Sequence, residues 1–212
     1  MTIVHIGARS GQDAEVYRAY GAGHVIFVEP DPDRIEAIRA RCAEVSAAPR
    51  HRICDWLRLP ETRFTVLEAL VGDTDGKDVR VRRIDDGGDS GSVFRRLDRP
   101  EERPGSRQDS GDALTVRMRR LDTLLSEADI APGSVDALVL DVTGSELLCL
   151  RGAPQTLRAA RVLEVEIANT AWSEGGLLRD ELEPWLIERG FSRATPLPFR
   201  WRFRQVVFVR KG

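Results

Sequence analysis

The sequence predicts a single doubly wound α/β domain over residues 1–212, and three observations predict it. Short apolar runs of strand length alternate with amphipathic helical stretches along the chain. The opening stretch from Thr2 to Asp31, TIVHIGARSGQDAEVYRAYGAGHVIFVEPD, reads strand, tight turn, helix, strand, acid, the order of a nucleotide-binding βαβ half-unit. Near the end, Phe191 to Thr195 and Phe203 to Val209 read as a closing antiparallel pair. A chain of 212 residues suffices for one such domain with a real core.

The first strand is Ile3-Val4-His5-Ile6, and Gly7-Ala8-Arg9-Ser10-Gly11 is the turn. A helix follows from Asp13 to Tyr20, then a Gly21-Ala22-Gly23 stop and the strand Val25 to Val28, which ends on Glu29. A helix runs from about Pro32 to Val45, with Asp31 as N-cap, proline at its first position and apolar residues at Ile35, Ile38, Cys42 and Val45. Ser46 to Glu61 is a polar loop with a short regular piece around Ile53 to Leu57. Phe64 to Val71 reads as a third, buried strand, because its end is continuously apolar. After the turn Gly72 to Gly76, Val79 to Ile84 alternates with arginine as a half-exposed strand that Leu114 to Met118 can pair with. Between them, Asp85 to Asp112 is rich in Gly, Ser, Pro and mixed charge, and reads as a long surface loop and a candidate lid. Leu121 to Leu125 is a short helix; Val135 to Leu140 is a buried strand ending on Asp141. Gly144-Ser145-Glu146 starts a helix that stops at Gly152, a second follows Pro154, and Arg161 to Ala168 is a strand. Leu177 to Glu188 is an amphipathic helix capped by Gly190.

Composition narrows the function classes. Hydrophobic content is 42% and charged content 31%, ordinary for a globular protein. A formal net charge of −2 gives no bulk electrostatic case for nucleic acid or an anionic membrane. Of the 32 basic residues only Lys77 and Lys211 are lysine, which fits a GC-rich coding bias better than an arginine recognition surface. Cys42, Cys54 and Cys149 have no metal-site spacing; with no membrane-length apolar run and no signal peptide before the first strand, a cytoplasmic protein is expected. With the first strand starting at Thr2, no N-terminal lid before the nucleotide unit is expected.

In open α/β sheets, ligands bind at the carboxyl ends of the strands. The polar residues there are the Gly7–Gly11 turn, Glu29, Asp73, Asp141 and Glu166. Glycines at 7 and 11 permit a sharp turn and close approach of a ligand, and an acid at the end of the second strand can accept from both ribose hydroxyls. A dinucleotide fingerprint needs glycine at its first, third and sixth positions, but these are Gly7, Arg9 and Gln12. The spacing suits S-adenosylmethionine (SAM) better. Asp141 ends a buried apolar strand, where a carboxylate requires a partner; it reads equally as a site residue and as a cap for the helix near Ser145. His5, inside the first strand, reads as core or support.

The chain resembles the FkbM-type methyltransferases along nearly its whole length. The matching pieces are HIGARSGQDAEVY, VIFVEPDP, EALVGDTDGK, Asp89 to Phe94, VRMRRLDTLL, LVLDVTGSELLCLRGA, LEVEI and LEPWLIERGF. The resemblance implies a seven-stranded Rossmann-like class I sheet with its last strand antiparallel. It also implies SAM as cofactor, held by Gly7, Ala8, Gly11 and Glu29 with Pro30 and Asp73 beside them, and O-methylation of a sugar or natural-product hydroxyl. Many members carry Asp and Asn where this chain has His5 and Arg9, an acid where it has Thr143, and Ser-Ser-Ser where it has Ser90-Gly91-Ser92.

Methyl transfer by in-line displacement needs an aligned acceptor oxygen and a base. Asp141 is the first candidate, with Glu166 and Glu146 as alternatives. The neighbouring helix start is expected to lower the pKa of Asp141. A divalent cation on Asp141 and Glu166, with Asn169, is a second route to an ionised hydroxyl. Expected partners are a small-molecule or glycan acceptor and, as an assembly, a homodimer. Nucleic-acid base methylation is disfavoured, since Asp141-Val142-Thr143-Gly144 is not an Asn/Asp-Pro-Pro-aromatic stretch. The rival readings are a SAM-binding domain without turnover and a nicotinamide oxidoreductase.

Overall fold

The structure is a computed structural model, and it describes residues 1–49, 54, 56–85, 90–92, 108–142, 144–168, 179–196 and 203–211. The first unit is β1 (Thr2–Ile6), α1 (Ala14–Ala19), β2 (His24–Glu29), α2 (Pro32–Ala47) and β3 (Arg63–Glu68). Then come β4 (Leu70–Val71), β5 (Asp78–Asp85), β6 (Ser90–Ser92) and β7 (Gln108–Arg119). The second half is α3 (Leu121–Glu127), a 3-10 turn (Pro132–Ser134), β8 (Ala137–Leu140), α4 (Glu146–Arg151), α5 (Pro154–Ala159) and β9 (Val162–Ala168). It closes with α6 (Arg179–Ile187), β10 (Phe191–Arg193) and β11 (Phe203–Arg210).

Seven strands form the main sheet in the order β10-β11-β9-β8-β1-β2-β3. The run from β9 to β3 is parallel, and β11 lies antiparallel to both β9 and β10. The expected seven-stranded sheet with an antiparallel final strand is therefore present. Alternation along each strand splits the core in two. Val4, Ile6, Ile26, Val28, Leu138, Leu140, Leu163 and Val165 face α3 to α6, whereas Ile3, Val25 and Phe27 pack on Ala14 of α1 and Ile38, Cys42 and Val45 of α2. The buried stripe of α2 is the one that its 3.6-residue period dictates, and the Asp31 side chain caps it by accepting from the Asp33 N–H at 3.1 Å.

Two sequence expectations change. The apolar run from Phe64 to Val71 is not one buried strand. It breaks at Ala69, whose N–H donates to the Glu29 carbonyl at 3.1 Å. β3 is an edge strand, exposed at both ends and half-buried between them. Leu70 and Val71 leave it to pair with Met118 and Arg119, and within the run only they and Ala69 are buried. They join a second sheet, ordered β4-β7-β5-β6. The polar stretch expected to be a loop from Asp85 to Asp112 is partly ladder: Ile84 and Asp85 pair with Asp109 and Gln108, and Ser90 to Ser92 pair with Ile84 to Arg82. Backbone pairing to an established neighbour holds these residues in strands without an apolar pattern. Residues 86–89 and 93–107, and with them most of the lid expectation, lie outside the described residues.

Asp122 fastens the second half together. Its buried carboxylate accepts from the Gln155 N–H (2.7 Å), the Thr156 N–H (3.0 Å) and the Thr156 hydroxyl (2.7 Å). It thus satisfies the first-turn donors of α5 from another helix. Among the described residues no helix is long and apolar enough to cross a membrane.

Candidate functional site

The order in which strands are added reverses between the parallel neighbours β1 and β8, so the switch point of this α/β sheet lies at their carboxyl ends. The Gly7–Gly11 turn leaves β1 there, and Asp141 follows β8 directly. The two are packed backbone to backbone. The Asp141 N–H donates to the Ile6 carbonyl at 3.0 Å, and a Cβ on Gly7 would stand 2.1 Å from the Asp141 carbonyl oxygen. Gly7, at φ +84°, is required by this contact and by its backbone angle. Gly11, at φ +71°, abuts Ile38 of α2. Both glycines serve the turn itself first. Ala8 is buried against the α1–α2 layer.

Glu29 ends β2 and is 4% exposed. One carboxylate oxygen accepts from the Arg9 N–H at 3.1 Å and the other from the Asp31 N–H at 3.2 Å, across Pro30. Burial raises its pKa; the Arg34 charge and these two N–H donors oppose the rise. A carboxylate has about four acceptor sites, so each oxygen retains a lone pair for a further donor. A ribose diol fits that remaining capacity.

Arg9 joins the two sides of the switch point. Its guanidinium lies 3.3 Å from Asp141, the side chains being 28% and 15% exposed. Sequence reasoning noted Arg9 only as a departure from a resemblance; the signal it missed was a long cation placed between the two glycines of a strand-end turn. Asp141 has its pKa raised, first by burial and then by the Asp13 charge, with Arg9 opposing. The expected lowering by a helix start does not occur, because burial outweighs it. Nor is Asp141 the cap of α4: Ser145 occupies the N-cap position, and the Gly144 N–H is taken by Glu146 at 2.8 Å.

Glu146 is 3% exposed, and burial pushes its pKa up to about 7, helped by the charges of Glu166 and Asp141 and opposed by the Gly144 N–H and its own. The three carboxylates nominated from the sequence therefore share one electrostatic neighbourhood at the ends of β8 and β9. Glu166 is half-buried. Asp73, nominated for the cofactor, stands exposed on the turn after β4, where it accepts from the Thr74 hydroxyl at 3.1 Å. His5 is buried with Nδ1 3.0 Å from the Tyr17 hydroxyl; burial and Arg9 hold its pKa at about 4, so it is neutral. This agrees with a supporting role. The cation set of Asp141, Glu166 and Asn169 falls partly outside the described residues. Among the described residues no three His, Cys, Asp or Glu side chains are grouped to hold a metal, and Asn169, like Thr143, lies outside them.

Comparison with solved structures returns class I methyltransferases. Magnesium protoporphyrin IX methyltransferase from Synechocystis PCC 6803, with bound SAH, is 12% identical, covers 99% of this chain and 73% of its own, and has a TM-score of 0.51. An rRNA methylase from Streptococcus thermophilus is 10% identical over 99% of this chain and 87% of its own, with a TM-score of 0.41. The first of these establishes the fold. No curated protein matches the chain. The family model of the methyltransferase FkbM domain matches residues 5–193. That span runs from the middle of β1 through β10, over the turn, the strand-end acids and the second sheet alike, and the chain belongs to the FkbM methyltransferase domain family.

Proposed function

We propose that the chain binds S-adenosylmethionine on the Gly7–Gly11 turn and Glu29, and directs its methyl group to a hydroxyl of a small-molecule or glycan acceptor. When bound, that cofactor supplies an electrophilic methyl on a sulfonium. The carrying observation is Glu29: a buried strand-end carboxylate, oriented by two backbone N–H donors and with acceptor capacity remaining. Family membership and the class I fold support it.

The chain's own task is to place the acceptor oxygen and take its proton. Glu146 and Glu166 are assigned to the proton as a coupled pair, Glu166 the half-buried member and Glu146 the buried one. Glu146, pushed up to about 7 by burial, is matched to a hydroxyl that becomes acidic only as transfer proceeds. Asp141, already engaged by Arg9, is assigned to binding rather than to proton transfer.

Calorimetry tests the cofactor assignment. Glu29→Ala is expected to weaken SAM binding by about 2–3 kcal/mol, since it removes a charged acceptor of two hydroxyls; wild-type affinity in this variant sinks the assignment. The acceptor class is tested by transfer of labelled methyl to sugars and hydroxylated natural products, followed by mild alkali. An ether product keeps its label, whereas a carboxyl ester releases it and contradicts hydroxyl methylation.

A further inference from the structure

Arg9 is held at φ 52°, a left-handed conformation that side chains other than Asn and Asp avoid. From there its backbone N–H reaches Glu29 and its guanidinium reaches Asp141. The arrangement is rigid at both roots. Gly7 is locked against the Asp141 carbonyl, and Asp141 is tied by its N–H to Ile6. Two opposite charges thus stand partly sheltered at the switch point, each with the other as partner.

We propose that Arg9 and Asp141 bind the α-amino-acid end of the cofactor, the guanidinium taking its carboxylate and the Asp141 carboxylate its ammonium. This rests on the SAM reading above. An α-amino-acid end carries one group of each sign, and the pair offers one partner for each. Without ligand the two charges neutralise each other, so neither is left uncompensated in a half-buried site. With ligand, one ion pair is exchanged for two, and the net charge of the site is unchanged. Asp141 also feels the charge of Asp13, so a cation is favoured on its side. The fork of an arginine matches a carboxylate in two hydrogen bonds, which no lysine reproduces. An amino-acid clamp thereby accounts for a long arginine in a backbone conformation that suits it poorly.

The test is titration calorimetry with three probes: S-adenosylhomocysteine, its decarboxylated analogue, which keeps the amine, and methylthioadenosine, which has neither charge. Arg9→Met is expected to lose roughly 10- to 100-fold in affinity for S-adenosylhomocysteine while keeping wild-type affinity for the other two. Asp141→Asn is expected to lose a similar factor for the two amine-bearing probes and nothing for methylthioadenosine. Arg9→Lys is expected to recover part of the Arg9→Met loss. Unchanged affinity for S-adenosylhomocysteine in Arg9→Met overturns the clamp. So does an equal loss for all three probes, which is the signature of a disturbed loop. A wild-type chain that binds none of the probes overturns the cofactor reading itself.

Discussion

A carboxylate whose pKa stands at about 7 changes charge inside the range where most proteins work, and Glu146 is such a group. Its ordinary value is 4.5. Between about 4.5 and 7 the folded chain therefore holds a proton that the unfolded chain has released, and stability falls as pH rises across that window. His5 works in the opposite sense. Its pKa is lowered from 6.5 to about 4, so the unfolded chain takes up the proton first and stability falls as pH drops through that range. Glu146→Gln keeps an oxygen for the Gly144 N–H and removes the charge. Its stability relative to wild type is expected to grow from about pH 4.5 to about pH 7 and then level off. Denaturant unfolding at three pH values measures this, and a pH-independent difference contradicts a buried acid. In turnover, the rise of activity through about pH 7 is expected to disappear with the same substitution. None of this could be read from the sequence. Glu146 was nominated by its place after Gly144, but its raised pKa comes first from burial and then in part from the charges of Glu166 on β9 and Asp141 after β8, which no local pattern displays.

Apart from α2, the described helices are short, and their ends matter more than their lengths. α5 has six residues and its N-cap position, Ala153, gives no side-chain cap. Asp122 supplies the missing acceptor from α3. Asp122→Ala leaves the N–H and hydroxyl of buried Thr156 and the half-sheltered Gln155 N–H without their acceptor, and is expected to destabilise the fold by about 3 kcal/mol in urea unfolding. Asp122→Asn, which keeps one acceptor, is expected to lose about half of that. The sequence read LDTLL as a helix and stopped there, because a cap donated by another helix carries no local signal. The same limit explains the third strand. Its apolar continuity from Phe64 to Val71 was legible; the change of sheet at Ala69 was not, since β4 finds its partner in β7, more than forty residues later. Elements whose partners are local, such as α2 with its Asp31 cap and four-residue buried stripe, were legible almost to the residue.

At the scale of the whole molecule, the doubly wound sheet and its antiparallel closure were legible in the alternation of elements and the final pair of apolar runs, whereas the strand order β10-β11-β9-β8-β1-β2-β3 was not. The switch point then placed Gly7, Glu29 and Asp141 at one end of the sheet without further information. What the sequence could not supply was the traffic across that point, namely the reach of Arg9. Because ligand binding to the native chain alone shifts the folding equilibrium, S-adenosylhomocysteine at about 100 times its dissociation constant is expected to stabilise the protein by about 2.7 kcal/mol. For a chain of this size that is a rise of roughly 5–10 °C in melting temperature, measurable by calorimetric scanning; no shift at saturating ligand contradicts the site. The interior position of β11 has one more consequence. Strands β9 and β10 are linked in the sheet only through residues 203–210, which lie between them. While the chain is still on the ribosome, β9 presents a bare hydrogen-bonding edge, with Leu163, Val165 and Ile167 along it, for the 35 residues that separate Ala168 from Phe203 (203 − 168). At about 5–20 residues per second that interval lasts roughly 2–7 s. Nascent chains crowded on one message would meet edge to edge during it, and the synthesis of β11 is what ends the exposure.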